Sequence, residues 1–468
     1  MWADERTMNI MKEYDAFSQK LHGYIQENQE ALIEQLLELV RHKSVSASGE
    51  GVEACCAYIV GIMEKIGIET TVHLIKPYPC ITGKLGDDPA KKTVLIYAHY
   101  DVQPEGDLSK WKSEPFEPVI HDGRIWGRGT ADNKGPLMAH LLAVDYLKNH
   151  LGSLPVNLKF IFEGCEESNS VGLPEFLAEN KELLKADMVY FSDGSKSHSD
   201  EPIIALGVKG MLYVELVLTS MVRDVHSQYA PVLPNAAWEM VELLGKLRRD
   251  GIVQIPGFYE DIIPATPKEN EILNSGPNVD AALRKTYGAD PIYDPKVGYY
   301  ATLNNTPTFN ISGISSGFTG DGTATVIPSK AVAKLDMRLV VAQSGKKILE
   351  NLKAYLHTLG YDNVEVICHG ITDPAKTSID TPYLPVIQRA VNEEFGSSLV
   401  YPNRPSTAPD YLWTNILGLP TIQVRWCDFD SDNHAPNEHL KVENYLKGIA
   451  LTATALTEIG TMPLEEGR

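Results

Sequence analysis

Apolar residues recur with two different periods along the chain, and the changes of period mark out its elements. Between residues 28 and 42 they fall at Leu32, Ile33, Leu36, Leu37, Leu39 and Val40, a helical stripe. Residues 53–67 repeat the pattern and stop at Gly67. Residues 93–98 (Thr-Val-Leu-Ile-Tyr-Ala) form a short, nearly all-apolar run, as expected for a central strand covered on both faces. A helix follows over 136–151, with Gly152 beyond it as a stop. Then come a strand over 156–162, a helix over 174–184 and a strand over 188–191. This alternation predicts an α/β fold with a mainly parallel sheet and helices on both faces.

The character changes near residues 207–210. A strand is predicted over 212–218 and a helix over 235–247, capped by Asn235. A Pro- and Gly-containing stretch of weak periodicity, 252–308, comes next. Strands over 307–314 and 330–341, a helix over 346–359 and a strand over 363–368 complete a strand–helix–strand–strand–helix–strand order. That is the ferredoxin-like or split βαβ arrangement. It places an inserted α+β domain at 209–377. A helix over 383–395, a strand over 420–425 and a helix over 442–459 would then complete the first domain. The first domain is therefore expected to be discontinuous, 1–208 and 378–468. No internal repeat or low-complexity run interrupts this plan.

At 468 residues the chain exceeds what one core usually accommodates, which fits two domains. The formal net charge of −20 argues against nucleic acid, whose phosphates need clustered Lys and Arg. Residues 1–17 carry Asp4, Glu5, Lys12, Glu13 and Asp15 with no apolar core, so no secretory signal is expected. No run of about eighteen apolar residues occurs, so no membrane span is expected either. The six cysteines make no C-x-x-C pair, and reduced, mostly buried thiols in the cytoplasm are the expectation.

Five short segments carry the candidate chemistry. They are Ala98-His99-Tyr100-Asp101, the glycine-rich run containing Asp132, Glu163-Gly164-Cys165-Glu166-Glu167, Ser192-Asp193-Gly194, and Asp432-Asn433-His434-Ala435-Pro436. His99 follows the strand 93–98, and ligands at the carboxyl ends of parallel strands meet in the crevice where such sheets bind substrates. Asp101 could accept a hydrogen bond from the second ring nitrogen of His99 and fix its tautomer. Asp132 could offer one oxygen to each of two metals. Glu166 and Glu167 are adjacent carboxylates, costly unless a cation neutralises one. A metal on Glu167 would leave Glu166 as a general base. Asp193 is a further strand-end ligand, with His198 nearby as a competitor. Each segment alone has a plain structural explanation: a solvated loop His, an Asp capping the next helix, an acidic loop, a turn-forming Asp, a surface His. Together they suit a two-metal hydrolytic site, which needs nitrogen and oxygen ligands, a bridging carboxylate and a free base.

With these residues in view, nearly the whole chain resembles the co-catalytic metallopeptidase superfamily of carnosinases and cytosolic non-specific dipeptidases. Aminoacylases, acetylornithine deacetylases and glutamate carboxypeptidases belong to the same superfamily. The resemblance implies His99 and Asp193 on one metal, Glu167 and His434 on the other, and Asp132 bridging. It also implies Asp101 as the partner of His99 and Glu166 as the base. In the inserted domain, Asp224-Val225-His226-Ser227 resembles the family's lid histidine, which contacts the scissile carbonyl, often from the partner subunit. Thr325-Val326-Ile327-Pro328 and Asp336-Met337-Arg338-Leu339 look like the segments whose Thr and Arg hold the substrate carboxylate. Arg338 suits that task because its planar fork binds carboxylates bidentately. Ser406 matches a serine near the substrate in the dipeptidase branch. Its neighbours Asn403-Arg404-Pro405 and Thr407-Ala408-Pro409, and Gly194-Ser195-Lys196 after Asp193, depart from the eukaryotic dipeptidases.

The expected function is hydrolysis of the amide bond of dipeptides or small peptides with a free C-terminal carboxylate. Two divalent ions per chain, Zn²⁺ or Mn²⁺, would serve it, in a homodimer formed through the inserted lid domain. An N-acyl amino-acid deacylase with the same mechanism is the alternative, and a metal-binding homologue without catalysis a third possibility. Glu166 beside Glu167 speaks against the last, since a mere binder has no use for the base.

Overall fold

Strand Thr93–His99 is buried from its second residue to its last. A strand in which successive residues are all buried must be covered on both faces. Helix Lys134–His150 packs on it, and helix Val52–Ile66 packs on the neighbouring strand Cys80–Leu85. The computed structural model describes residues 5–464, with side chains from residue 16 onward. Two compact units appear. One comprises Met1–Leu206, Thr377–Tyr401 and Leu412–Arg468, and the other Gly207–Lys376 and Pro402–Tyr411.

The first unit is built on an eight-stranded sheet. Its order is Glu69–His73, Cys80–Leu85, Asn157–Glu163, Thr93–His99, Met188–Phe191, Thr421–Arg425, Ile203–Ala205 and Leu399–Tyr401. Neighbours from Asn157–Glu163 through Thr421–Arg425 run parallel. Cys80–Leu85 and Ile203–Ala205 join that centre antiparallel. The parallel core brings its carboxyl ends to one edge: His99 sits opposite Glu163, and Phe191 lies between Tyr97 and Gln423. Helix Leu173–Glu179 is shorter than the expected 174–184. Asn180 ends it by turning its side-chain amide onto the Phe176 carbonyl at 2.8 Å.

The second unit has the βαββαβ order. Its four-stranded sheet runs Asn310–Ser316, Lys330–Leu339, Gly210–Thr219, Val364–Thr372, and every neighbour is antiparallel. Burial alternates along Gly210–Thr219 and Lys330–Leu339, so one face is core and the other polar. Leu212, Val214, Leu216 and Leu218 pack with Met240 and Leu243 of helix Ala236–Leu247 and with Leu352 and Leu356 of helix Gly345–Thr358. Asn235 caps the first of these helices by accepting from the Ala237 and Trp238 N–H groups. The weakly periodic stretch 252–308 holds three short helices, Pro267–Asn274, Asp280–Tyr287 and Tyr299–Asn305. Elements of two turns that bury at most a pair of residues leave little periodicity to read.

No helix among the described residues is long and apolar enough to cross a membrane. All six cysteines are unpaired, and only Cys368 is exposed.

Candidate metal centre

The carboxyl edge of the parallel core collects the candidate ligands of the first unit. Two groups have donor atoms that all lie within 4.8 Å of one another: His99, Asp132 and Asp193, and Asp132, Glu167 and His434. Asp132 is common to both. His99 is buried, whereas the His434 side chain is about half exposed, so one group is deep and the other opens outward.

The tautomer of His99 follows from its neighbours. Its Nδ1 lies 3.1 Å from the Asp101 carbonyl oxygen, which can only accept, so Nδ1 carries the proton. A neutral ring would therefore aim the lone pair of Nε2 at Asp132 Oδ1, 3.2 Å away, with no hydrogen bond aligned between them. A buried lone pair facing a carboxylate is unfavourable unless a cation lies between them. His434 Nε2 is likewise 3.2 Å from both Asp132 Oδ2 and Glu167 Oε2. Protein groups alone can settle this charge only by protonating the rings. Burial opposes a proton on His99, yet Asp101 and Asp132 outweigh it and hold its pKa well above the ordinary value. Asp132 and Glu167 push His434 up to about 10. Burial would raise Asp132, but His434 and His99 pull it well below the usual carboxylate range. A divalent cation on each group would give the same neutralisation with both rings neutral, as ligands need. The donor set, imidazole nitrogen and carboxylate oxygen, fits such ions.

Asp101 does more than the sequence suggested. Its Oδ1 is 3.5 Å from His99 Nδ1, beyond a good hydrogen bond. The carboxylate instead accepts the N–H groups of Glu166 at 3.1 Å and Glu167 at 3.0 Å. It thereby ties the His99 loop to the short turn Glu166–Ser168. Gln103 fixes Glu167 from another side, its Nε2 donating to Oε2 at 2.9 Å. Glu166 is pushed well above the carboxylate range by burial and by Asp193, Glu167 and Asp132, with His99 opposing. Behind it Glu163, buried, accepts from the Tyr97 hydroxyl at 2.7 Å and the Ser170 hydroxyl at 3.0 Å.

Asp193 is held through its main chain, where Gln423 Nε2 donates to its carbonyl at 3.0 Å. Gly194 follows at φ +85°, and a Cβ there would stand 2.6 Å from the Arg425 guanidinium carbon. His198 does not join either group; its ring packs on Phe429 with centroids 4.1 Å apart.

Gln103 was not singled out from the sequence, and neither was Glu438. Glu438, fully buried, accepts four hydrogen bonds. They come from Arg128 Nη1 at 2.7 Å, Gly129 N–H at 3.0 Å, Ala131 N–H at 3.0 Å and Asp132 N–H at 3.1 Å. A sequence signal for such a residue did exist: the glycine-rich run around Asp132 carries several N–H donors that a buried turn must satisfy.

The remaining candidates lie in the second unit. His226, in strand Val225–His226, pairs with Val326, and its Nε2 is 3.2 Å from Thr325 Oγ1. Its Nδ1 accepts the Gln228 N–H at 3.1 Å, leaving Nε2 as the position for a proton. Arg338 donates from Nη1 to Thr407 Oγ1 at 2.6 Å. Ser406, beside Thr407, uses its carbonyl to accept the Lys209 N–H at 3.0 Å.

A parallel sheet whose strand ends present two ligand groups around one shared carboxylate, with a spare buried glutamate beside them, defines a metal-dependent hydrolase. Comparison with known proteins narrows the class. The chain belongs to Peptidase family M20/M25/M40, whose model matches residues 95–458. It is 30% identical over 410 residues to Cys-Gly metallodipeptidase dug1 of Schizosaccharomyces pombe, covering 82% of this chain and 83% of the relative. It is 30% identical over 399 residues to human Beta-Ala-His dipeptidase, covering 82% and 78%. Among solved structures it is similar to the M20 family metallo-carboxypeptidase Sso-CP2 of Sulfolobus solfataricus. That match has a TM-score of 0.82 and 35% identity, over 92% of this chain and 99% of the other. Human carnosine dipeptidase 1 matches with a TM-score of 0.70 and 26% identity, over 95% and 100%. The protein is a metallopeptidase.

Proposed function

We propose that this chain is a dinuclear metallo-dipeptidase that acts on dipeptides or small peptides with a free C-terminal carboxylate. The observation that carries the reading is the sharing of Asp132 between two ligand groups. His99, Asp132 and Asp193 would hold one divalent ion, and Asp132, Glu167 and His434 the other. Zn²⁺ and Mn²⁺ both suit this mixed set. When bound, the ions supply Lewis acidity toward the scissile carbonyl and make water easier to deprotonate.

The chain's own groups do the rest. Glu166 takes a proton from the attacking water as its oxygen bonds to the carbonyl carbon. The same carboxyl returns that proton to the amine nitrogen as the C–N bond breaks, so one residue serves as base and then acid. Asp101 keeps Glu166 and His99 in register through their loops. His226, with its proton on Nε2, donates toward the carbonyl oxygen as negative charge develops there. Arg338 takes the substrate carboxylate, and Thr325 and Ser406 complete the binding surface.

A homodimer through the second unit belongs to the same proposal. Between residues 222 and 241 that unit exposes Val222, Val232, Trp238 and Val241, with Trp238 67% and Val232 75% exposed. Large apolar side chains left exposed favour an interface, here with a second copy. In that dimer His226 acts in the partner's site. Mixing Glu166→Gln chains with His226→Ala chains should restore one working site per mixed dimer, and metal-replete mixed dimers that stay inactive would refute the sharing. The free thiols fit a reducing, cytoplasmic setting.

The substrate class is tested with a panel of dipeptides, their C-terminal amides and N-acetyl amino acids. Cleavage of the dipeptides with loss of rate on the amides is expected. Preference for the N-acetyl amino acids would replace this reading with the deacylase one.

A further inference from the structure

Glu438 stands four residues after His434 and reaches Asp132 across the whole chain. Both carboxylate oxygens are used. One takes the N–H groups of Ala131 and Asp132, the other the Arg128 guanidinium and the Gly129 N–H. Gly129 makes the tight turn possible: its φ is +89°, and a Cβ there would stand 2.8 Å from Val102 Cγ1. The main chain of Glu438 is anchored as firmly as its side chain. Its carbonyl accepts the Gly127 N–H at 2.9 Å, and the next residue begins strand His439–Lys441, which pairs with Arg124–Trp126.

The loop that carries His434 is closed just before this point. The His439 N–H donates to the Ser431 carbonyl at 3.0 Å, and within the loop Asn433 Nδ2 reaches Asp132 Oδ2 at 3.2 Å. The Glu438 side chain thus sets the backbone of Asp132, and the residue that follows it, His439, closes the loop of His434. His99, Glu167 and Asp193 are placed by other means: a strand end, the Asp101 carboxylate and Gln103, and Gln423.

We infer that Glu438 is a positioning residue that fixes Asp132 against His434, and that it governs the outer ion of the pair far more than the inner one. Of the three outer donors, Asp132 is tied to its side chain and His434 sits in the loop closed at the turn that this side chain anchors. Among the inner three, only Asp132 is tied to it. Glutamine cannot replace it, because its NH₂ group would meet two N–H donors wherever the amide oxygen is placed. This inference rests on the two-metal reading.

The test is a Zn²⁺ titration of metal-stripped protein against a chromophoric chelator, for the parent and for Glu438→Gln, with circular dichroism to show that both are folded. The parent should bind two ions in resolvable steps. In Glu438→Gln one step should weaken by about 10–100-fold, the usual effect of losing a group that orients ligands, while the other stays within a few-fold. If Glu438→Gln does not fold, Arg128→Met is read in the same way, since it removes one of the four donors and leaves the carboxylate; the expected selective loss is then smaller. Two steps unchanged in the folded variant, or two steps weakened equally, overturns the inference. A parent that binds no Zn²⁺ would instead overturn the two-metal reading beneath it.

Discussion

The two units treat their candidate functional residues in opposite ways. In the first, nearly every such side chain is buried and fixed by more than one group: Asp101 spans two loops, Glu438 accepts four donors, and His99 has a defined tautomer. In the second, His226 and Thr325 lie on the surface within 3.2 Å of each other, and His226 also accepts the Gln228 N–H. Arg338 leans on a single threonine hydroxyl. The contrast separates two tasks. Ions and a reacting water demand geometry set in advance, because reorganisation during reaction is costly. On the proposed reading, groups that grip the ends of varied small peptides can be held more lightly.

That contrast predicts a ranking of effects. The largest belongs to the first unit. Glu166→Gln should keep both ions and lower kcat by roughly 10²–10⁴, the usual contribution of general acid–base catalysis. Glu167→Gln, one residue on, should instead lose metal. Steady-state kinetics beside elemental analysis reads both, and near-normal turnover in Glu166→Gln would remove it from the reaction.

The second unit should answer more softly. Arg338→Met removes a charge-assisted bond worth about 1.5–3 kcal/mol, so kcat/KM should fall by about 10–150-fold, mostly through KM. Dipeptide amides should be indifferent to the change. An equal loss on acids and amides would mean that Arg338 does not bind the carboxylate.

The smallest effects concern pH and carry opposite signs in the two units. His22 Nε2 is 3.0 Å from Glu394 Oε2, and that partner lifts its pKa to about 9. A raised histidine stabilises fully below its unfolded value near 6.5 and loses that contribution as pH rises through about 9. His22 is half exposed although Glu394 is buried, so solvent screening leaves at most about 1 kcal/mol at stake. Lys209 is buried, its Nζ donating to the carbonyls of Leu303 and Thr306 at 2.6 Å. Burial, with repulsion from Arg338, lowers its pKa to about 8. The unfolded chain then binds more protons between about pH 8 and 10.5, so this group makes stability rise with pH over that window. Thermal unfolding across pH 6–10.5 should show His22→Gln losing the fall and Lys209→Met losing the rise. Parallel curves for parent and variants would deny both assignments.

Legibility from sequence divides along similar lines. Strands Met188–Phe191 and Thr93–His99 stood out because continuous apolar runs report burial on both faces. The βαββαβ order was readable because its long elements alternate cleanly, as in Gly210–Thr219. Ile203–Ala205 and Leu399–Tyr401 were not, since three residues carry no period. At the centre, the sequence offered His99, Asp132, Glu166, Glu167, Asp193 and His434 as a set, each next to a strand end or turn. What it concealed was how they are held. Glu438 looks like a surface acid after a Pro-Asn turn, and its four partners lie 306–310 residues away. Asp101 invited pairing with His99, two residues away, whereas its carboxylate serves N–H groups 65 and 66 residues distant. Local pattern finds the candidate ligands and base; the groups that orient them act through contacts no window of sequence contains.

The central claim is that Asp132 joins two metal sites into one. Elemental analysis of the folded parent and of Asp132→Ala tests it most directly. The parent should carry about two transition-metal ions per chain, as two-metal hydrolases do, and Asp132→Ala should retain no more than one. A parent with a single ion, or an Asp132→Ala variant that still holds two, would contradict the shared site.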